Sequence, residues 1–338
     1  METRAKKNWK NEMLLSVSNL KVHFYIEDKV AKAVDGVDFS IRKNEILGIV
    51  GESGSGKSVC ALSILRLLYI PSCKISGQIY FKGENLLKLN ERQMQKIRGK
   101  EISLIFQEPT TSLNPVLTIG DQIAESIKLH QKLDKIKTWE KVVEMLKLVK
   151  IPEPFRRAKE YPHEMSGGMK QRVMIAMALS SNPSILIADE PTTALDVTTE
   201  KQILYLIKDL QKKLGTAVIF ISHNLGVIAE VADKVLVMYA GKVLEYAPVN
   251  KIFQQPKHPY TSGLLKSIPK LNAPRGIKLE AIPGRLPDSL ALPRGCLFHP
   301  RCKFAIDICK KKEPKMEKIR DNHIVRCWMY NKEEAINF

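Results

Sequence analysis

Long apolar runs are missing from this sequence. No stretch approaches the roughly 20 consecutive apolar residues that span a bilayer. A chain of 338 residues with 44% hydrophobic and 27% charged residues therefore reads as globular, and as one that does not cross a membrane by itself. The basic start, METRAKKNW at residues 1–9, lacks the apolar segment and small-residue cleavage site of a secretory signal, which points to the cytosol. Internal repeats and low-complexity tracts are absent too, so the length divides most simply into one large domain with a smaller appended unit. Acidic residues are scarce: 36 Asp and Glu stand against 54 Lys and Arg, a net charge of +18. In the 88 residues from Lys251 to Phe338 the surplus is +10, from 18 basic and 8 acidic side chains. Such a surplus suits an anionic neighbour, either nucleic acid or lipid headgroups, and charge alone does not choose between them.

What is there begins with strands. Leu14–Val17 and Leu20–Phe24 are apolar or alternating, and Val37–Ile41 alternates with period two, as an antiparallel entry sheet does. Ile46-Leu47-Gly48-Ile49-Val50 is a continuous apolar run, the mark of a strand covered on both faces. Ser184–Ala188 and Ala217–Ile221 repeat that texture, each ending in polar residues, so a ligand crevice is expected at the carboxyl ends. Between Glu108 and Pro162 the pattern turns helical, with Trp139, Val142, Val143, Leu146 and Val149 at 3.6-residue spacing and Pro152, Pro154 and Pro162 closing the segment. A hairpin is expected where Val235–Met238 and Lys242–Glu245 flank Ala240-Gly241. From about Asn250 proline density rises, at Pro256, Pro259, Pro269, Pro274, Pro283, Pro287, Pro293 and Pro300, and the tail reads as an irregular second unit.

Gly51-Glu52-Ser53-Gly54-Ser55-Gly56-Lys57-Ser58 fits G-x-x-x-x-G-K-[ST] between a buried strand and a helical run over 59–68. Glycines turn backbone N–H groups toward phosphates, Lys57 reaches the β- and γ-phosphates, and the Ser58 hydroxyl ligates Mg²⁺. Gly51, Ser53, Gly54, Ser55, Gly56, Lys57, Ser58 and Val59 are thus the nucleotide-binding candidates. Ile185–Ala188 ends in Asp189-Glu190, where Asp189 would hold Mg²⁺ and Glu190 would polarise an attacking water. Two acids at a strand end also cap helices, so the pair takes its weight from the phosphate loop.

Tyr161–Arg172 (YPHEMSGGMKQR) resembles the signature segment of ATP-binding-cassette (ABC) ATPases. Ser166, Gly167 and Gly168 open a helix running to Ser180, which presents a hydroxyl and bare N–H groups to an anion. The resemblance implies that this anion is the γ-phosphate of ATP held by the opposite subunit of a head-to-tail pair. It likewise gives Gln107 a place beside Mg²⁺ and the water, Asp196 a contact with the partner subunit, and His223 a contact with the γ-phosphate. Phe24, with Tyr25 close behind, is the aromatic aligned with the adenine stack, or else a core residue. Met169 departs from the general signature, which has Gln there, and a thioether lacks the amide's hydrogen bonds. Ser166–Arg172, His258–Thr261, Ile282–Gly284 and Gly295–Cys302 look like the ATP-binding subunits of bacterial dipeptide and oligopeptide importers, and this likeness covers nearly the whole chain.

Cys60 and Cys73 stand apart and read as small buried hydrophobes. Cys296, Cys302, Cys309 and Cys327 crowd into 32 residues as C-x5-C-x6-C-x17-C, which lacks the paired C-x2-C spacing of zinc ribbons and is no ferredoxin run. A four-thiolate site fits this spacing. The resemblance implies a [4Fe–4S] cluster; zinc, or no metal, are the alternatives. The fold class expected is α/β: an ABC-type P-loop NTPase with an antiparallel β subdomain, a RecA-like core, a helical insertion at about 108–165 and a small irregular C-terminal metal-binding unit. Residues 1–250 would form the nucleotide-binding domain and 251–338 the extension. The resemblance further implies two transmembrane permease subunits, a second ABC ATPase subunit as heterodimer or homodimer partner, an extracytoplasmic solute-binding protein acting indirectly, and a peripheral position on the cytoplasmic face of the membrane. Peptides are the cargo it implies, with nickel or another small solute as the variant. A rival reading, a DNA-handling cassette ATPase with zinc-bound cysteines, usually brings a long coiled coil or zinc modules inside the cassette. The insertion here is only about 55 residues, and the reading adopted involves no nucleic acid.

Overall fold

A computed structural model describes residues 13–69, 72–193, 195–268, 281–319 and 322–330. The readings that touch residues 1–9, Ala194, Pro269 and Pro274 lie outside them. The chain forms two compact units, one from Met1–Ile41, Leu47–Leu87 and Ser222–Phe338, the other from Arg42–Ile46 and Lys88–Ile221.

In the first unit, β1 (Met13–Ile26) and β2 (Lys29–Arg42) precede β3 (Ile46–Val50), β4 (Cys73–Phe81) and β5 (Glu84–Asn85). The order β2-β1-β4-β5 is the expected antiparallel sheet. The two apolar segments at the start are a single strand, because the pairing with β4 slips between Ser18 and Lys21 where Asn19 adopts φ 47°. A bulge of this kind absorbs one residue without ending the strand. β3 is buried along its whole length, as a run without alternation requires. The helix after the phosphate loop is shorter than its apolar content suggests. It covers Lys57–Ile64 and stops because Arg66 takes φ 52°, a left-handed turn that reverses the chain.

The second unit carries β6 (Ile102–Ile105), β7 (Ile185–Asp189) and β8 (Ala217–Ser222), parallel and in the order β8-β7-β6. Helices Ile119–Gln131 and Lys135–Leu148 fall in the stretch whose pattern reads as helical; Thr118 caps the first and Asp134 the second, each side chain accepting from a backbone N–H of the first turn. Val142, Val143, Leu146 and Val149 are at most 3% exposed. Their burial contributes roughly 1.5–3 kcal/mol each, and the helix they ride packs against Ile119–Gln131 and Gly167–Leu179.

The chain returns to the first unit through β9 (Lys234–Tyr239) and β10 (Lys242–Pro248), the expected hairpin, with Ala240 at φ 45° and Gly241 at φ 80°. β9 pairs in parallel with β3. The proline-rich tail is more regular than its composition suggests: β11 (Glu317–Lys318) and β12 (Ile324–Val325) extend the sheet to the order β11-β12-β10-β9-β3. Glu245 of β10 is fully buried, and its carboxylate accepts from the N–H groups of Lys257 (2.7 Å) and His258 (2.9 Å) and meets His323 Nε2 at 2.6 Å. Burial raises this carboxyl, but the hydrogen bonds outweigh it and hold it below the usual range. Burial also drives His258 down to about 4, so its Nδ1 accepts from the Tyr260 N–H. Among the described residues no helix is long and apolar enough to cross a membrane.

Candidate active site

The phosphate loop joins β3 to helix Lys57–Ile64, and two of its glycines have no substitute. A Cβ on Gly51 would lie 2.2 Å from the Met238 carbonyl, and one on Gly56, which caps the helix at φ 98°, would lie 2.4 Å from the Ala33 carbonyl. The backbone thereby approaches its neighbours closely enough to turn inward. Lys57 is 4% exposed, its Nζ donating to the carbonyls of Gly51 (2.9 Å) and Glu52 (3.0 Å). Ser55 is buried with an unpartnered hydroxyl, Ser53 and Gly54 are exposed, and Ser58 and Val59 are half-buried. His223 is exposed in the same unit, between β8 and the helix Leu225–Val231 that Asn224 caps. Phe24 on β1 is half-buried opposite Cys73, whereas Tyr25 beside it is 50% exposed.

In the second unit the parallel strands deliver the acids. Asp189 ends β7 and is buried; Glu190 follows at φ 46°, a left-handed conformation costly for a side chain of this kind and held by its N–H donating to Ile221 O at 3.0 Å. Its Oε2 accepts from Gln107 Nε2 at 3.2 Å and from Thr193 Oγ1 at 3.0 Å. Gln107 and Glu190, 83 positions apart, are thus brought together. Thr193 escaped the sequence reading, its only signal being its place in Pro191-Thr192-Thr193 directly after the acids. An amide and a hydroxyl thus meet at one oxygen of a fixed carboxylate.

Ser166 caps helix Gly167–Leu179 by accepting from the Met169 N–H at 3.4 Å, so position 169 contributes its backbone rather than an amide side chain. Gly168 lies against Thr199, whose hydroxyl and N–H both donate to Asp196 (2.6 and 3.0 Å). Those bonds hold the Asp196 carboxyl below its usual range. Ser166, Gly167 and Asp196 are all exposed.

Cys60 is fully buried, its thiol pushed up to about 12 by burial, and Cys73 is 6% exposed, as small hydrophobes should be. The other four line one pocket with Phe298, Phe304 and Trp328. Cys296 and Cys309 are buried, Cys302 and Cys327 half-buried. Burial pushes Cys296 up to about 11 and Cys327 to about 12. Among the described residues no group of three or more His, Cys, Asp or Glu side chains is gathered tightly enough to hold a metal ion. The donor set, four soft thiols on one apolar pocket, nonetheless fits a thiolate-bound metal.

A family model described as ABC transporter matches residues 34–193, and another, the C-terminal region of oligopeptide/dipeptide transporters, matches residues 244–309. The chain is 52% identical to the probable peptide ABC transporter ATP-binding protein y4tR of Sinorhizobium fredii over 99% of both chains. It is 50% identical to the oligopeptide transport ATP-binding protein OppD of Bacillus subtilis over 94% of this chain and 88% of that one. Among solved structures, the dimeric post-hydrolysis state of the ATP-binding cassette MJ0796 bound to ADP and Pi is similar at a TM-score of 0.63, with 28% identity over 70% of this chain and 98% of that one. Fold and site define a P-loop ATPase with the antiparallel β subdomain of the ABC class. More narrowly, the chain belongs to the ATP-binding proteins of oligopeptide and dipeptide ABC transporters.

Proposed function

We propose that the chain hydrolyses ATP as one of two motor subunits that drive di- or oligopeptide uptake through two transmembrane permease subunits, from a peripheral position on the cytoplasmic face of the membrane. The observation that carries the catalytic half is the Gln107–Glu190–Thr193 cluster on a strained backbone at the end of β7. Glu190 takes the proton of the attacking water while Gln107 orients the water; Lys57 and the loop N–H groups bind the β- and γ-phosphates, and His223 reads the γ-phosphate. Ser58, Asp189 and Gln107 present hard oxygen donors suited to Mg²⁺, which offsets phosphate charge when bound. Phe24 stacks on adenine. The exposed Ser166, Gly167 and Asp196 serve the nucleotide of a second, related ATPase subunit, as their lack of cover supports. The nucleotide-binding domain is residues 1–250, with its insertion at about 108–165, and the extension is 251–338. An extracytoplasmic solute-binding protein hands the peptide to the permeases.

Purifying the tagged chain from its own cells in mild detergent should retain two hydrophobic permease chains and a second ATPase chain. Recovery with DNA instead, and a DNA affinity falling steeply with salt, would replace the transport reading by a DNA-handling one.

Cys296, Cys302, Cys309 and Cys327 hold a [4Fe–4S] cluster that staples the extension. Anaerobically purified protein should be brown, with about four irons per chain and acid-labile sulfide. Replacing any of the four cysteines should lower the metal content, whereas replacing Cys60 or Cys73 should not. Stoichiometric zinc without sulfide would substitute a zinc site, and metal-free protein would leave four reduced thiols.

A further inference from the structure

Three segments of the extension, His258–Thr261, Ile282–Gly284 and Gly295–Cys302, lie outside every nucleotide motif, yet they converge on one residue of the phosphate loop. Glu52 has all its polar groups engaged. Its carbonyl accepts from Lys57 Nζ and, at 3.1 Å, from the Ser55 N–H, both within the loop. Its N–H donates to the Tyr260 hydroxyl at 2.9 Å. Its carboxylate accepts both arms of the Arg301 guanidinium, at 2.6 and 2.9 Å, across 249 positions of sequence. Arg301 is 8% exposed and is aimed by its Nε, which donates to Pro283 O at 2.8 Å, and by its position over the Tyr239 ring. Tyr260 is fully buried, and its ring meets those of Tyr239 and Phe298 at 4.8 and 5.4 Å between centroids.

A carboxylate in a loop that receives a triphosphate is a liability, since it adds negative charge beside a ligand carrying several. A forked guanidinium both cancels that charge and fixes the plane of the carboxylate. We propose that Arg301 is a positioning residue for the phosphate loop: together with Tyr260 it neutralises and anchors Glu52, so that the C-terminal extension sets the loop's affinity for nucleotide. The proposal rests on the loop being the nucleotide site.

MgATP affinity and steady-state hydrolysis test it in the full chain. Arg301→Met leaves Glu52 charged and loose, and should raise the ATP Kd by about ten- to a hundredfold. KM should rise with it while kcat stays within about twofold, the pattern of lost uniform binding. Glu52→Gln alone should cost less than about tenfold, since no charge is left to repel phosphate, and adding it to Arg301→Met should restore affinity to about the Glu52→Gln level. A merely structural role for Arg301 gives no such rescue. Wild-type affinity in Arg301→Met, or a double variant no better than Arg301→Met, overturns the proposal. If Arg301→Met does not fold, Tyr260→Phe and Arg301→Lys decide: each should weaken ATP binding, and wild-type affinity in both overturns it. Lys57→Ala separates the two readings, because retained affinity there removes the nucleotide site itself, whereas loss there with no effect at Arg301 removes only the positioning role.

Discussion

Lys57→Ala should lose tight ATP binding, with Kd rising by at least about a hundredfold, the scale of a charge-assisted contact to phosphate removed from a buried setting. The Lys57 ammonium is 4% exposed and held against two loop carbonyls, Gly51 and Glu52, so its stem cannot be replaced by water without altering the loop. The loss therefore combines a missing positive charge with a looser cradle. Isothermal calorimetry with Mg²⁺ present measures it. Wild-type affinity in this variant would remove the phosphate-loop assignment.

Glu190→Gln should bind ATP as tightly as the parent while hydrolysing it about 10²–10⁴-fold more slowly, the contribution of a positioned base. That range corresponds to about 3–5 kcal/mol of barrier. The substitution keeps the shape of the side chain and an oxygen able to accept from Thr193 and Gln107, and it leaves the strained backbone at φ 46° in place, so stability should change little. The blocked variant should also accumulate as an ATP-bound pair of motor subunits, visible as a nucleotide-dependent shift in size on gel filtration. Parental turnover in Glu190→Gln, together with a dead Asp189→Asn, would exchange the roles given to the two acids.

Much of this arrangement is legible in the sequence because it is local. A loop that must turn its N–H groups inward needs Gly51 and Gly56 at fixed spacing, and close backbone contacts leave no room there for a Cβ. Strands covered on both faces must be apolar throughout, so β3, β7 and β8 stand out, and the polar residue that ends such a strand marks the ligand edge. Ser166 reads as a cap from its position ahead of a helical run, and it is one, whereas the cap that Asp196 forms on the helix Val197–Leu214 emerges only in the structure. Local pattern is less informative where the chain is half-ordered by its neighbours. The bulge at Asn19 joins two apparent strands into one, and the left-handed Arg66 ends a helix whose apolar content runs on.

The sequence by itself determined the phosphate loop, the acid pair, the signature segment and the α/β frame, since each is written within a dozen residues by steric and hydrogen-bonding needs that act along the chain. Only the tertiary structure decided what meets across long separations. It set Gln107 and Thr193 on the Glu190 carboxylate and drew four cysteines to one pocket. It also carried Arg301 across 249 positions to Glu52. No period or spacing encodes such meetings, because they follow from strand order and from the burial of β10 and the aromatic cluster around Tyr260, which are properties of the packed chain as a whole.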